Sequence, residues 1–106
     1  MVKIYATEHG VVLEFWANID LSAYPKVELI IRKPSGETIK VPMYISERSD
    51  YVAMRLIQPG ELDEKGVYKF QLVAEDDTGT ILYYSRIVTV YVEQPIPVGV
   101  MLDGQS

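Results

Sequence analysis

The sequence contains no cysteine and a single histidine, His9, among 106 residues. Without cysteine the chain has neither a disulfide framework nor a thiolate zinc site, so packing and hydrogen bonds must hold the fold. One histidine cannot assemble a nucleophile, a base and an orienting acid, and no G-x-S-x-G motif accompanies it. We therefore expect His9 to be a surface turn residue, and we expect no catalytic residues and no enzymatic activity.

The chain also lacks the positive charge that nucleic-acid-binding and membrane-surface proteins carry. Its 10 basic residues are outnumbered by 15 acidic ones, which gives a net charge of −5 and a pI of about 4.8. Binding to phosphates needs a basic face, and an anionic membrane surface repels an acidic protein. We expect neither nucleic acid nor a membrane among its partners.

Long hydrophobic runs are missing as well. No stretch approaches the ~20 apolar residues of a membrane-spanning helix. Residues 1–10, "MVKIYATEHG", contain no apolar segment of the kind that a signal peptide needs. We therefore expect the protein to be soluble and made in the cytoplasm.

Motifs for cofactors and metals are not found either. "PSGETIK" has one glycine and does not match the phosphate-binding G-x-x-x-x-G-K pattern. "AEDDTGT", residues 74–80, offers carboxylates but not the ligand spacing of an EF-hand, and Asp, Thr and Gly are also what a hairpin loop needs. The acidic residues of 61–64 show no sign of a cleft for glycoside hydrolysis. We expect no cofactor and no metal.

What the sequence does contain is period-two alternation, in runs rich in Val, Ile, Tyr and Phe, whereas helical periodicity is almost absent. Turn signals separate about seven such runs at intervals of roughly ten residues. This pattern predicts an all-β fold over residues 1–93, an antiparallel β-sandwich of immunoglobulin-like type, with a small barrel as the alternative. Residues 94–106 are predicted to form an extended C-terminal tail.

Individual strands can be assigned an inward face. The predicted inward residues are Val11, Leu13, Phe15, Ala17, Val27, Leu29, Ile31, Ile39, Val41, Met43, Val52, Met54, Leu56, Tyr68, Phe70, Leu72, Ala74, Val88, Val90 and Val92. The "PSGE" turn predicts a hairpin of "KVELIIRK" with "TIKVPMYI", and Pro42 predicts that the second arm is an edge strand or contains a bulge. The long pattern over residues 81–92 is predicted to break near Ser85.

The stretch "LDEKGVYKFQL", residues 62–72, places charged residues between a leucine and a glycine. Leu62, Gly66 and Tyr68 are typical of the corner through which an immunoglobulin-like sandwich enters a central strand, with the Tyr68 hydroxyl bonded to nearby backbone. We interpret these three residues as a structural corner and expect the charges between them to face solvent.

Two groups of residues are candidates for partner contacts. The segment 94–106 contains two prolines and two glycines yet is rich in apolar side chains, namely Ile96, Val98, Val100, Met101 and Leu102. Such a segment either covers its own domain, is disordered, or is an arm that adds to a neighbouring subunit. The chain also has eight tyrosines, which strands favour in any case but which protein interfaces favour too. We take Tyr83 and Tyr91 as further candidate contacts.

Two long stretches resemble a known group of proteins. Residues 3–39, "KIYATEHGVVLEFWANIDLSAYPKVELIIRKPSGETI", carry an I-Y strand, a glycine turn, an aliphatic strand, "DLS" and a strand ending in R-K-P-S-G. Residues 60–92, "GELDEKGVYKFQLVAEDDTGTILYYSRIVTVYV", add a G-x-Y-x-F-Q strand and closing strands. In this order the sequence resembles small bacteriophage virion proteins with immunoglobulin-like domains, from tails, baseplates or capsid accessories. The shared residues are those of a fold, so no catalytic or ligand-binding residue is transferred.

The resemblance implies a non-enzymatic structural protein of a bacteriophage particle. It would reside in the virion and bind other virion subunits, with a homo-oligomer as a further possibility. The alternative is a carbohydrate- or cell-surface-binding β-sandwich module, in which an outward-facing Trp16 and neighbouring tyrosines form a stacking platform.

Overall fold

A computed structural model describes residues 1–93 of the chain. Over this range it contains nine strands: β1 Val2–Thr7, β2 Gly10–Trp16, β3 Lys26–Arg32, β4 Thr38–Pro42, β5 Tyr44–Ser46, β6 Ser49–Leu56, β7 Gly66–Glu75, β8 Ile81–Tyr84 and β9 Val88–Val92. A single 3-10 turn, Leu21–Ala23, lies between β2 and β3. Within residues 1–93 no helix has the length and apolarity needed to cross a membrane. The predicted tail 94–106, with its five apolar candidates, lies outside the described residues.

The strands form two antiparallel sheets that pack into a β-sandwich. Sheet A has the order β1-β2-β6-β5, and sheet B has the order β4-β3-β7-β8, with β9 also paired to β7. The predicted all-β antiparallel sandwich is therefore confirmed. The strands number nine rather than about seven because two predicted runs are each divided, at Met43 and at Ser85.

The core lies between the sheets and consists of the alternating residues of β2, β3 and β7. The predicted inward residues of these strands are buried, and so are Leu21 and Leu62 from the connections. Val88, Val90 and Val92 of β9 pack against the same cluster as partly buried side chains. Removing this apolar surface from water is the main stabilising term, about 25 cal/mol per Å² buried.

The inward face predicted for β6 is wrong by one residue. Ala53 lies opposite Phe15 and is fully buried in the core, and Arg55 lies opposite Leu13. Directly opposed residues share a face, so Val52, Met54 and Leu56 lie on the outer face of sheet A. Val52 is nevertheless buried there, with 4% of its surface exposed. The inward position of Arg55 is tolerated because its guanidinium has a carboxylate partner, Glu61.

The predicted hairpin of β3 and β4 is confirmed. The two strands are paired from Glu28 opposite Pro42 to Arg32 opposite Thr38, and β4 is an edge strand, as Pro42 predicted. After β4 the chain crosses from sheet B to sheet A, where β5 begins at Tyr44. Met43 lies at this crossing, and its side chain is buried.

The predicted break near Ser85 is also confirmed, and Ser85 itself makes it. Its backbone N donates to Leu72 O at 2.9 Å, and its Oγ accepts the Leu72 N–H at 2.8 Å. Gln71 Nε2 also donates to Ser85 O at 3.0 Å. The side chain replaces one rung of the ladder, so β8 and β9 lie one after the other along the same side of β7.

The corner before β7 places Tyr68 in the core with its hydroxyl on the backbone of the connection. Tyr68 Oη accepts the Glu64 N–H at 2.8 Å and donates to Glu64 O at 2.9 Å. Leu62 is buried in the core cluster. Gly66 has a φ of +135°, and a Cβ there would lie 2.9 Å from Pro34 Cβ, so only glycine suits this position.

Of the charges of this corner, Asp63 and Lys65 are exposed to solvent as expected, and Asp63 and Glu64 also bind the neighbouring β3–β4 turn. Lys33 Nζ lies 3.1 Å from Asp63 and 3.3 Å from Glu37, although the Lys33 side chain is almost fully buried. Burial opposes the charge of Lys33, but hydrogen bonds to the two carboxylates outweigh it and raise its pKa. Ser35 donates from N and Oγ to the Glu64 carboxylate at 2.9 and 3.0 Å.

A second ion pair ties the start of the corner to β6. Arg55 donates to Glu61 through Nε at 3.0 Å and through a terminal nitrogen at 2.6 Å, a two-point contact. Glu61 also accepts the Gln58 N–H, and Arg55 donates to Pro42 O. Both charged side chains are largely buried, with 15% and 9% of their surface exposed, so each depends on the other to offset desolvation.

We predict that Tyr68→Phe destabilises the fold by about 1–3 kcal/mol, because it leaves the N–H and C=O of Glu64 without their partner. The free energy of unfolding in urea measures this. Tyr91→Phe is the matched control, since it removes an exposed hydroxyl and should change stability little. Equal stability of Tyr68→Phe and the control would contradict a structural role for the corner.

We also predict that Glu61→Leu lowers the free energy of unfolding by about 3–5 kcal/mol, because it leaves the buried charge of Arg55 without its partner. The double variant Arg55→Met with Glu61→Leu removes both charges and should recover much of that loss. Urea unfolding of the single and double variants checks this. A double variant as unstable as Glu61→Leu would mean that the charge of Arg55 is not the cause.

Candidate interaction surfaces

His9 and the acidic hairpin loop around Asp76 both lie in turns between strands. His9 is exposed in the β1–β2 turn, with only the exposed Glu8 beside it at 3.6 Å. Asp76 Oδ1 accepts hydrogen bonds from Thr78 N, Thr78 Oγ1 and Thr80 N at 2.9, 2.6 and 3.0 Å. These bonds lower the pKa of Asp76. Within residues 1–93 no group of three or more potential metal-ligating side chains occurs.

A second cluster of charges lies on the outer face of sheet B. Glu75 is 2% exposed, and Lys40 Nζ lies 2.9 Å from it and 3.1 Å from Glu28. Lys26 Nζ is 3.9 Å from both carboxylates. The hydrogen bond with Glu28, and then Lys40, lower the pKa of Glu75, and the same carboxylates raise the pKa of Lys40. Two acids and two ammonium groups thus contact one another on this face, and these contacts engage all four side chains within the domain.

Large apolar side chains are exposed along one edge of sheet B, on or beside β8 and β9. We call this set the edge strip; it consists of Val67, Leu82, Tyr84, Ile87 and Tyr91, with exposures of 45%, 57%, 58%, 59% and 58%. Within residues 1–93, β8 and β9 pair with β7 alone. The edge strip therefore combines exposed apolar surface with a strand edge that has no second partner in this part of the chain.

A shallow groove of about 270 Å³ adjoins the edge strip at Ile87. Its other lining residues include Ile30, Arg32, Thr38 and Lys69. Arg32 and Lys69 are directly opposed on β3 and β7. The groove thus extends the exposed apolar surface toward two cationic side chains.

The two tyrosines that the sequence singled out have different positions. Tyr91 is exposed, lies opposite Val67 and belongs to the edge strip. Tyr83 lies opposite Ala74 and packs against the core, with its hydroxyl donating to Asn18 Oδ1 at 2.8 Å. Burial raises the pKa of Tyr83. Tyr91 thus lies on an exposed surface, whereas Tyr83 makes its contacts within the domain.

Sequence reasoning missed Leu82, Tyr84 and Ile87. A signal for two of them was present, because Leu82 and Tyr84 flank Tyr83 in the alternation, and an inward Tyr83 implies outward neighbours. Whether Tyr83 faces inward, or Leu82 and Tyr84 do, depends on the register of β8 with β7, which the sequence alone does not show.

The outer face of sheet A carries a second aromatic surface. One row across the sheet consists of Lys3, Glu14, Met54 and Tyr44, each paired with the next. Trp16 is on the same face, 46% exposed, as the sequence analysis expected of an outward residue. Tyr44, at 64% exposure, was missed because residues 38–45 had been treated as one strand of one sheet.

Comparison with protein-family models, with curated proteins and with solved structures found no match. The class of the protein is therefore defined by its fold, an all-β sandwich of a four-stranded and a five-stranded antiparallel sheet. The surfaces described above are therefore the basis for the function proposed below.

We predict that stability decreases in acid partly through Glu75. Its pKa is lowered in the folded state, so its stabilising contribution is present above the ordinary value of 4.5 and is lost as the pH falls through the lower folded value. Glu75→Gln should be less stable at neutral pH and should lose less stability on acidification. Unfolding free energies at several pH values measure this, with the exposed Glu8→Gln as control. A Glu75→Gln curve parallel to that of the unaltered chain would contradict the assignment.

Proposed function

We propose that the protein is a non-enzymatic structural protein of a bacteriophage particle that binds other virion subunits through the edge strip. The observation that carries this proposal is the edge strip itself, an exposed apolar surface beside a strand edge. Contiguous exposed apolar surface marks interaction sites, and an open edge accepts an additional strand. The resemblance to small virion proteins supplies the kind of partner.

The strand order supports the immunoglobulin-like assignment that the resemblance implies. In immunoglobulin domains the first, second, fifth and fourth main strands make one sheet, and the third, sixth and seventh make the other. The order β1-β2-β6-β5 in sheet A corresponds to the former, and β3-β7-β8 in sheet B corresponds to the latter, with β4 added at its edge. Tyr68, bonded to the backbone of Glu64, stands where such domains have a tyrosine corner.

Binding rather than catalysis is supported by where the polar groups are engaged. The most buried carboxylates, Glu61 and Glu75, are ion-paired within the domain. Lys33, the most buried amine, binds Asp63 and Glu37. The affinity for a partner would come from burial of the edge strip and from main-chain hydrogen bonds along β8 and β9.

The proposal is tested in a phage whose genome encodes the chain. Purified particles should contain the protein, as detected by mass spectrometry. When the gene is replaced by the variant Tyr84→Asp with Ile87→Asp, incorporation should fall at least about tenfold, which corresponds to about 1.4 kcal/mol of binding free energy. Charged side chains in the contact would have to be desolvated without a partner.

Tyr44→Asp is the matched control, because Tyr44 is similarly exposed but lies on sheet A. It should be incorporated like the unaltered chain. Particles that lack the protein would overturn the virion role. Particles that take up the edge-strip variant normally would overturn the role of the edge strip.

The C-terminal segment is tested separately. If Ile96, Val98, Val100, Met101 and Leu102 form an arm that contacts a neighbouring subunit, a chain that ends at Glu93 should be incorporated less well while unfolding at the same urea concentration. Equal incorporation of the shortened chain would remove the arm from the proposal.

A further inference from the structure

A groove of about 660 Å³ runs along the outer face of sheet A, away from the edge strip. It lies where β1, β2, β5 and β6 come together with the β5–β6 turn, and it is lined by Tyr5, Glu14, Tyr44, Ile45, Ser46, Glu47, Arg48 and Met54. This volume is within the range of small-molecule sites, roughly 300–1,000 Å³. The groove is accessible from solvent at Tyr44, which is 64% exposed.

The carboxylate in this groove is held in a fixed orientation by two aromatic donors. Tyr5 Oη donates to Glu14 Oε2 at 2.5 Å, and Trp16 Nε1 donates to Glu14 Oε1 at 3.3 Å. Each carboxylate oxygen has two lone-pair directions, so both oxygens keep capacity for a further donor. A group that is already oriented loses little conformational freedom when it binds a ligand. Glu14 is therefore a preorganised acceptor.

The charges around the groove balance. Glu14 and Glu47 line it, and so does Arg48, while Lys3 lies opposite Glu14 in the adjacent strand. Lys3 Nζ is 5.3 Å from the centre of the Tyr5 ring. The lining itself carries one more anion than cations, and Lys3 in the adjacent strand offsets this charge, although the whole chain carries −5. A phosphate or a strongly cationic peptide would meet a like charge in this groove, whereas an uncharged ligand would not.

The remaining chemistry of the groove suits a ligand with both hydroxyl groups and apolar faces. Glu14 and Glu47 accept hydrogen bonds, Arg48 donates them, and Ser46 and Tyr44 carry hydroxyls that do either. The exposed ring of Tyr44 offers an aromatic face whose negative potential attracts the polarised C–H bonds of a sugar ring. Aromatic side chains with a few oriented polar groups are the usual lining of such sites.

We infer that this groove binds a neutral saccharide, stacked on Tyr44 and hydrogen-bonded to Glu14. The sequence suggested a stacking platform at Trp16; the geometry instead places Trp16 as a donor that orients Glu14 and gives the platform to Tyr44. The site lies on sheet A and does not depend on the virion role or on the edge strip.

The test uses the whole chain, biotinylated and assembled on streptavidin, on an array of neutral, acidic and amino-sugar glycans. The neutral glycan bound best is then titrated in solution against the fluorescence of Trp16, the sole tryptophan, which lies beside the groove. We expect binding to neutral glycans, and we expect Tyr44→Ala and Glu14→Gln each to weaken it at least about tenfold.

Tyr84→Ala is the matched control, because Tyr84 has nearly the same exposure as Tyr44 but lies on sheet B. It should bind like the unaltered chain, and urea unfolding should show that all three variants fold. An array without bound neutral glycans would overturn the proposal, and so would unchanged binding by Tyr44→Ala. A blank array would leave the virion role standing, because incorporation into particles tests that role separately.

Discussion

The rest of this sandwich depends on the two hydrogen bonds between the hydroxyl of Tyr68 and the backbone of Glu64, because they fix where the chain passes from sheet A to sheet B. A connection that enters the core must not leave buried backbone groups unpaired. With this corner held, Glu61 meets Arg55 on one side, and Asp63 and Glu64 reach the β3–β4 turn on the other. One side chain thus orders contacts between three separate parts of the chain.

This acidic protein contains two ion pairs with a buried carboxylate, one at the corner and one on the outer face of sheet B. A buried pair adds little net stability compared with apolar side chains of the same size, yet separating its members is costly. We therefore interpret Arg55 with Glu61, and Lys40 with Glu75, as contacts that penalise wrong strand registers. The apolar core provides the driving force, and the charges select one alignment of the strands that enclose it.

The sequence predicted the sheets better than the surfaces, and the reason is register. In β2, β3 and β7 the charged residues fall on one face and the apolar residues alternate on the other, so their core residues were predicted correctly. In β6 the apolar residues Val52, Met54 and Leu56 outnumber Ala53 on the other face, and the inward Arg55 is acceptable only because Glu61 lies beside it. Tyr44, Tyr84 and Ile87 are exposed through strand pairings and a sheet crossing that only the tertiary structure sets.

The break at Ser85 has a consequence for how the molecule behaves in crowded solution. Because Ser85 bonds to Leu72, the edge beside β7 is divided into strands of 4 and 5 residues and is not one continuous strand. Long, uninterrupted edges promote uncontrolled stacking of sheets into fibrils, and short or irregular ones hinder it. Within residues 1–93 a single serine thus keeps each stretch of this edge short, which we expect to limit edge-to-edge polymerisation.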